Sequence, residues 1–97
     1  MGSGGVHRVG VQKINGALKV LAFLLNVKDE VTLLRISQEA KMNYKTVRNA
    51  IEVLKKYGLI NERYEEGPPP KRLISLTEKG REAAEYAKKL LEVIGQS

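Results

Sequence analysis

The apolar residues of the chain fall into stretches of helical period, interrupted once by two stretches of strand character. Val11, Ile14, Leu18, Leu21, Ala22 and Leu25 recur at three- and four-residue steps, the spacing of one buried helix face. Val20, Phe23, Leu24 and Val27 add a second apolar flank, and Asn26, Lys28 and Asp29 close the run. The spacing predicts a first helix over about Val11 to Val27. A helix that is apolar on two sides must touch both its own core and something else.

Thr32 is placed to cap a short second helix, Leu33 to Lys41, in which Leu33, Ile36 and Ala40 share a face. Asn43 is the next cap, and behind it Val47, Ala50, Ile51 and Leu54 form a stripe at helical spacing. Gly58 ends this third helix, Tyr44 to Tyr57, because glycine takes a positive φ without Cβ strain. The pattern then changes. Leu59 to Tyr64 and Arg72 to Leu76 are short segments around Gly67-Pro-Pro-Pro70, a stretch that cannot be helical, and predict a hairpin with a stiff, extended tip. Thr77 caps a last helix, Glu78 to Ile94, with Ala83, Ala84, Ala87, Leu90, Leu91 and Ile94 on its apolar side and Gly95 at its end.

The order is helix, helix, helix, hairpin, helix, with no internal repeat: a mainly α fold with a small β-hairpin. At 97 residues one domain is expected, with residues 1–10 as a flexible leader and 11–97 as the folded unit. Met1 to Gly5 lack an apolar core and have the composition of an expression remnant rather than a signal peptide. A chain this short buries only about 60–70% of its unfolded surface, so a second subunit is a natural source of further burial. The last helix runs beyond what so small a core can cover, which favours pairing of two copies through the first and last helices.

With 42% apolar and 29% charged residues the composition is that of an ordinary globular chain. Cysteine is absent, which excludes disulfides and thiolate metal sites and makes a cytoplasmic home the simplest reading. The longest apolar stretch, Val20 to Leu25, is far too short to span a bilayer.

The net charge is +6, and residues 33–63 hold +4 of it. There Arg35, Lys41, Lys45, Arg48, Lys55, Lys56 and Arg63 stand against Glu39, Glu52 and Glu62. Residues 1–32 carry the other +2, and everything from Tyr64 onward balances. A cationic excess gathered in the middle of the chain suits a phosphate-facing surface; a solvated basic face without a partner is the plainer alternative. The chemistry of an enzyme is hard to assemble. The one histidine, His7, sits in the leader, and the acids are spread among matching bases, so no triad, metal set or phosphate loop forms. No cofactor is expected.

The informative stretch is Ile36 to Val47. Ile36 and Val47 fill the space between two steeply crossed helices, Ala40 permits their close approach, Met42 plugs the turn and Asn43 caps the second helix. The outward side at the start of the third helix is then Tyr44, Lys45, Thr46, Arg48 and Asn49. Donors and a hydroxyl at the N-terminal end of a helix are what reading base edges in a major groove demands. For Tyr44 the alternative is a ring that covers the junction between the helices, and Lys55 and Lys56 read as a solvated helix face.

Ile36 to Val47, followed by Leu54-Lys-Lys-Tyr-Gly-Leu-Ile60 and Leu76-Thr-Glu-Lys-Gly80, resembles the winged helix-turn-helix regulators of bacteria and archaea, with MarR- and PadR-like groups nearest. The resemblance covers about Thr32 to Gly80. It implies a three-helix core, a two-stranded wing and a C-terminal helix, and a transcriptional regulator, more often a repressor, that binds duplex DNA. It implies that the third helix enters the major groove with Tyr44, Lys45, Thr46, Arg48 and Asn49 as contacts. Arg48 would read guanine, Asn49 adenine, and Lys45 and Thr46 would touch phosphates. Lys71 and Arg72 would lie along the flanking backbone from the wing. Glu65 and Glu66, just before the tip, argue against deep insertion of the wing into a minor groove. A homodimer on a palindromic site would set its two reading helices roughly 34 Å apart. No small-molecule effector follows, since the long extra helices that bind ligands in larger MarR proteins are missing. The alternative is a winged helix that mediates protein contacts, in which the outward face of the third helix would be apolar; here it is polar and basic.

Overall fold

The computed structural model describes residues 15–95. The first helix, α1, is seen over residues 15–25, while Val11 to Ile14, His7 and the predicted leader lie outside the described residues. It ends two residues earlier than the pattern predicts. The N–H groups of Asn26 and Val27 turn back to the carbonyls of Phe23 and Leu24 at 3.1 and 3.0 Å, a tight last turn that frees the chain to reverse. The core-facing stripe is also rotated from the expected one. Ala17, Val20, Leu21 and Leu24 are buried, whereas Leu18, Ala22 and Leu25 are half-buried. Both flanks are apolar, so periodicity alone did not choose between them.

A two-residue strand, β1 (Val31–Thr32), leads directly into α2 (Leu33–Glu39). The Thr32 hydroxyl accepts the N–H of Arg35 at 3.2 Å, the capping bond its sequence position promised. Helix α2 stops two residues short of Lys41 because Ala40 is its cap and Lys41 adopts a left-handed φ of 56°. The N–H of Met42 then reaches the carbonyl of Ser37 at 3.0 Å, closing a Schellman turn. The Ser37 hydroxyl donates to the Met42 carbonyl at 2.6 Å and locks the turn from the other side.

Helix α3 (Tyr44–Lys56) begins at Asn43, whose side-chain oxygen accepts the N–H of Lys45 at 2.8 Å. It buries Val47, Ala50, Ile51 and Leu54, and Gly58 releases the chain at φ 72°. Strands β2 (Ile60–Glu65) and β3 (Lys71–Leu76) pair antiparallel, with Ile60 opposite Leu76 and Glu65 opposite Lys71. The expected two-stranded wing is therefore part of a three-stranded sheet, ordered β1-β3-β2, in which Val31 sits opposite Ile74. Two residues carry no periodicity, which is why β1 was invisible to pattern reading.

Thr77 caps α4 (Glu78–Val93) and ties two distant parts of the chain together. Its hydroxyl accepts the N–H of Gly80 at 2.9 Å and donates to the Gly58 carbonyl at 2.8 Å, and its own N–H reaches the Leu59 carbonyl at 3.1 Å. A Cβ on Gly80 would overlap the Leu59 carbonyl, so only glycine fits there. The core gathers α1, α2, α3, the sheet and Ala84 and Ala87 of α4, with Val20, Leu24, Ile36, Val47, Ile51 and Ile74 fully enclosed. No helix among the described residues is long and apolar enough to cross a membrane.

Candidate nucleic-acid interface

Helix α3 buries one side, which forces the residues on its other side into solvent. Lys45, Asn49, Glu52 and Lys56 follow at steps of four, three and four, so they form one ridge opposite the buried stripe. Arg48 and Lys55 flank it on one side. Thr46 lies on the other, where α1 comes close: a Cβ on Gly16 would stand 3.4 Å from the Thr46 methyl. Tyr44, on the first turn, is 44% exposed, so it is not sealed into the junction between the helices. All five residues expected at this edge, Tyr44, Lys45, Thr46, Arg48 and Asn49, are exposed, and one helix brings them together.

The cations differ in how they are held. Arg35 is paired with Glu39 at 2.6 Å, and Arg63 with Glu30 at 2.7 Å across the sheet. Lys55 donates to Glu62 at 2.7 Å. Lys45, Arg48, Lys56 and Lys71 are exposed and form no ion pair with any described residue. The same is true of Lys41, which precedes α3 in the tight turn. Sequence reasoning did not assign a role to Lys41. The sequence carries no signal for it, because the left-handed φ that presents Lys41 at the turn is uncommon for a non-glycine residue and is set by the fold.

Arg72 is placed differently from expectation. Its guanidinium is drawn back between β2 and α3, hydrogen-bonded through Nε to Glu62 and through Nη2 to Glu52 at 3.3 Å, and its side chain is only 24% exposed. The cause is sheet register. Arg72 faces Tyr64, and Glu62, two positions along β2 on the same face, comes within reach on the diagonal. The carboxylate of Glu62 is 6% exposed and receives Arg72 and Lys55 together. The Arg72 hydrogen bond, with that of Lys55, outweighs the opposing effect of burial and holds the Glu62 carboxyl below its usual range. Lys71, at the very start of β3, keeps the exposed position expected of it, and Glu65 and Glu66 are also exposed.

No protein-family model matches the chain, and no curated protein matches it. Solved structures do. F-93 of SSV1 superposes with a TM-score of 0.67 at 26% identity, over 84% of this chain and 90% of that one. A transcriptional regulator homologue of Pyrococcus horikoshii gives 0.66 at 20% identity, over 80% and 77%. BpsR of Bordetella bronchiseptica, whose regulation of DNA binding involves 6-hydroxynicotinic acid, gives 0.67 at 28% identity, over 82% of this chain and 61% of that one. The fold is a winged helix-turn-helix. Within it, α2 and α3 are the helix-turn-helix, β2 and β3 the wing, and the Glu62 cluster joins the wing to α3. No group of side chains able to hold a metal ion gathers among the described residues.

Proposed function

We propose that this winged helix-turn-helix chain is a cytoplasmic transcriptional regulator, a repressor by occupancy, that binds duplex DNA with α3 in the major groove and Lys71 on the flanking backbone. One observation carries the reading: the edge of α3 presents Lys45, Arg48 and Asn49 to solvent, its cations without acidic partners among the described residues, whereas Arg35, Lys55, Arg63 and Arg72 are each engaged by a carboxylate. Free cations are what phosphates require, and Arg48 with Asn49 supplies the donors and acceptor for base edges. Regulators among the matching structures support the assignment.

The working unit is a homodimer. On α4, Tyr86, Leu90, Val93 and Ile94 are 67%, 47%, 83% and 55% exposed, an apolar surface that a monomer leaves in water. Beside it Phe23, Met42 and Leu91 line a groove of about 690 Å³ between α1, the α2–α3 turn and α4. A second copy covers both and sets two α3 helices on one face, as a palindromic site requires.

The experiment is a titration of labelled duplex over a range of salt, with the protein sized in the same buffers. Binding that weakens linearly in log–log form as salt rises, by a dimer, is the expected result. No binding at low salt overturns the reading.

A further inference from the structure

Glu52 is out of place on a surface meant for phosphates. It stands on the outward ridge of α3, 55% exposed, one turn after Arg48 and Asn49. A carboxylate there repels the DNA backbone and lowers affinity for every sequence alike. Two cationic side chains nonetheless approach it from one side. Arg72 reaches from β3 to Glu52 Oε2 at 3.3 Å, and Lys55 approaches the same oxygen at 3.9 Å. Both cations are themselves held by the nearly enclosed Glu62. Among the described residues no donor reaches Oε1. The result is a carboxylate engaged through one oxygen, with the other left as an acceptor on the edge that carries Asn49 and Arg48.

We propose that Glu52 is a specificity-determining residue that reads cytosine in the major groove, positioned by Arg72; this rests on the DNA-binding reading above. The chemistry narrows the base. A carboxylate only accepts hydrogen bonds, so guanine, with two acceptors, and thymine, with an acceptor and a methyl group, both refuse it. Adenine offers its amino group beside the N7 acceptor, which opposes the carboxylate. Cytosine offers its N4 amino group with a C–H, not an acceptor, beside it on its own ring, so a carboxylate can approach from that side. The sheet register that withdraws Arg72 from the backbone thus leaves its guanidinium to aim a reader instead of binding a phosphate.

The test is selection of duplexes from a random-sequence pool by the whole chain, for wild type, Glu52→Ala and Arg72→Met, with thermal unfolding of each. Wild type should enrich a C·G pair at one position per half-site. Glu52→Ala should lose preference at that position alone, by roughly five- to 150-fold, while its affinity for unselected duplex rises. Arg72→Met should blur the same position although Glu52 is intact. A wild-type site without a preferred C·G pair, or a Glu52→Ala protein that selects the wild-type site unchanged, overturns the proposal and leaves the DNA-binding reading standing. A wild type that binds no duplex overturns both. A residue serving only to tie α3 to the wing would lower the unfolding temperature and leave the selected sequence as it was.

Discussion

The ammonium of Lys55 on α3 donates to the carboxylate of Glu62 on β2 at 2.7 Å, and that contact couples the orientation of the wing to the helix that precedes it. Arg72 completes the arrangement from β3. Glu62 is thereby the one nearly enclosed charge among the ion pairs of the described residues.

This arrangement gives the protein an acid-sensitive component of stability. The Arg72 and Lys55 hydrogen bonds hold the Glu62 carboxyl below its usual value, so the folded protein keeps the charge to lower pH than the unfolded chain does. The contribution is complete above the ordinary carboxylate range and is lost as pH falls through the depressed value. Glu62→Gln should lower stability at pH 7 by about 1–3 kcal/mol, and the gap to wild type should close in acid. Thermal unfolding from pH 7 to pH 3 checks it; a gap that stays constant contradicts it.

The wing cations should separate by role. Lys71 is exposed and unpaired among the described residues, so Lys71→Ala should weaken duplex binding equally for all sequences and reduce the salt slope by about 1, with unfolding unchanged. Arg72→Ala should instead lower the unfolding temperature, because it leaves Glu62 with one partner of two. Paired titrations and melts of the two variants distinguish these behaviours, and identical profiles for both would contradict the assignment.

Lys41 occupies the position in the Schellman turn that glycine fills without strain. Lys41→Gly should therefore leave stability equal to or above that of wild type by up to about 1 kcal/mol, the relief of a left-handed side-chain residue. Duplex binding should weaken at the same time, since a free cation at the mouth of α3 is removed. Stability and affinity moving in opposite directions is the signature to look for in melts and binding isotherms.

Features governed by neighbouring residues were legible in the sequence. Thr32, Asn43 and Thr77 cap the helices they were expected to cap, because a side-chain oxygen reaching an N–H two or three residues on is local chemistry. The outward edge of α3 was legible for the same reason: Val47, Ala50, Ile51 and Leu54 define the buried side, and the rest follows from the helical period. What depends on distant segments was not. The core face of α1 is chosen by what packs on it, so Val20 and Leu24 went inside while Ala22 and Leu25 stayed half-covered. Strand β1 exists because Val31 finds Ile74 across the sheet. Arg72 carried the right charge for a wing contact, but sheet register delivered it to Glu62, and no spacing along the chain announces a diagonal cross-strand partner.

The central claim is that the exposed edge of α3 is what holds duplex DNA. Measuring duplex affinity for wild type and for the protein with both Lys45→Ala and Arg48→Ala, alongside thermal unfolding of each, tests it most directly. Loss of binding with nearly unchanged unfolding is the predicted result, since both side chains are solvent-exposed and outside the core. Undiminished binding by the double variant would contradict it.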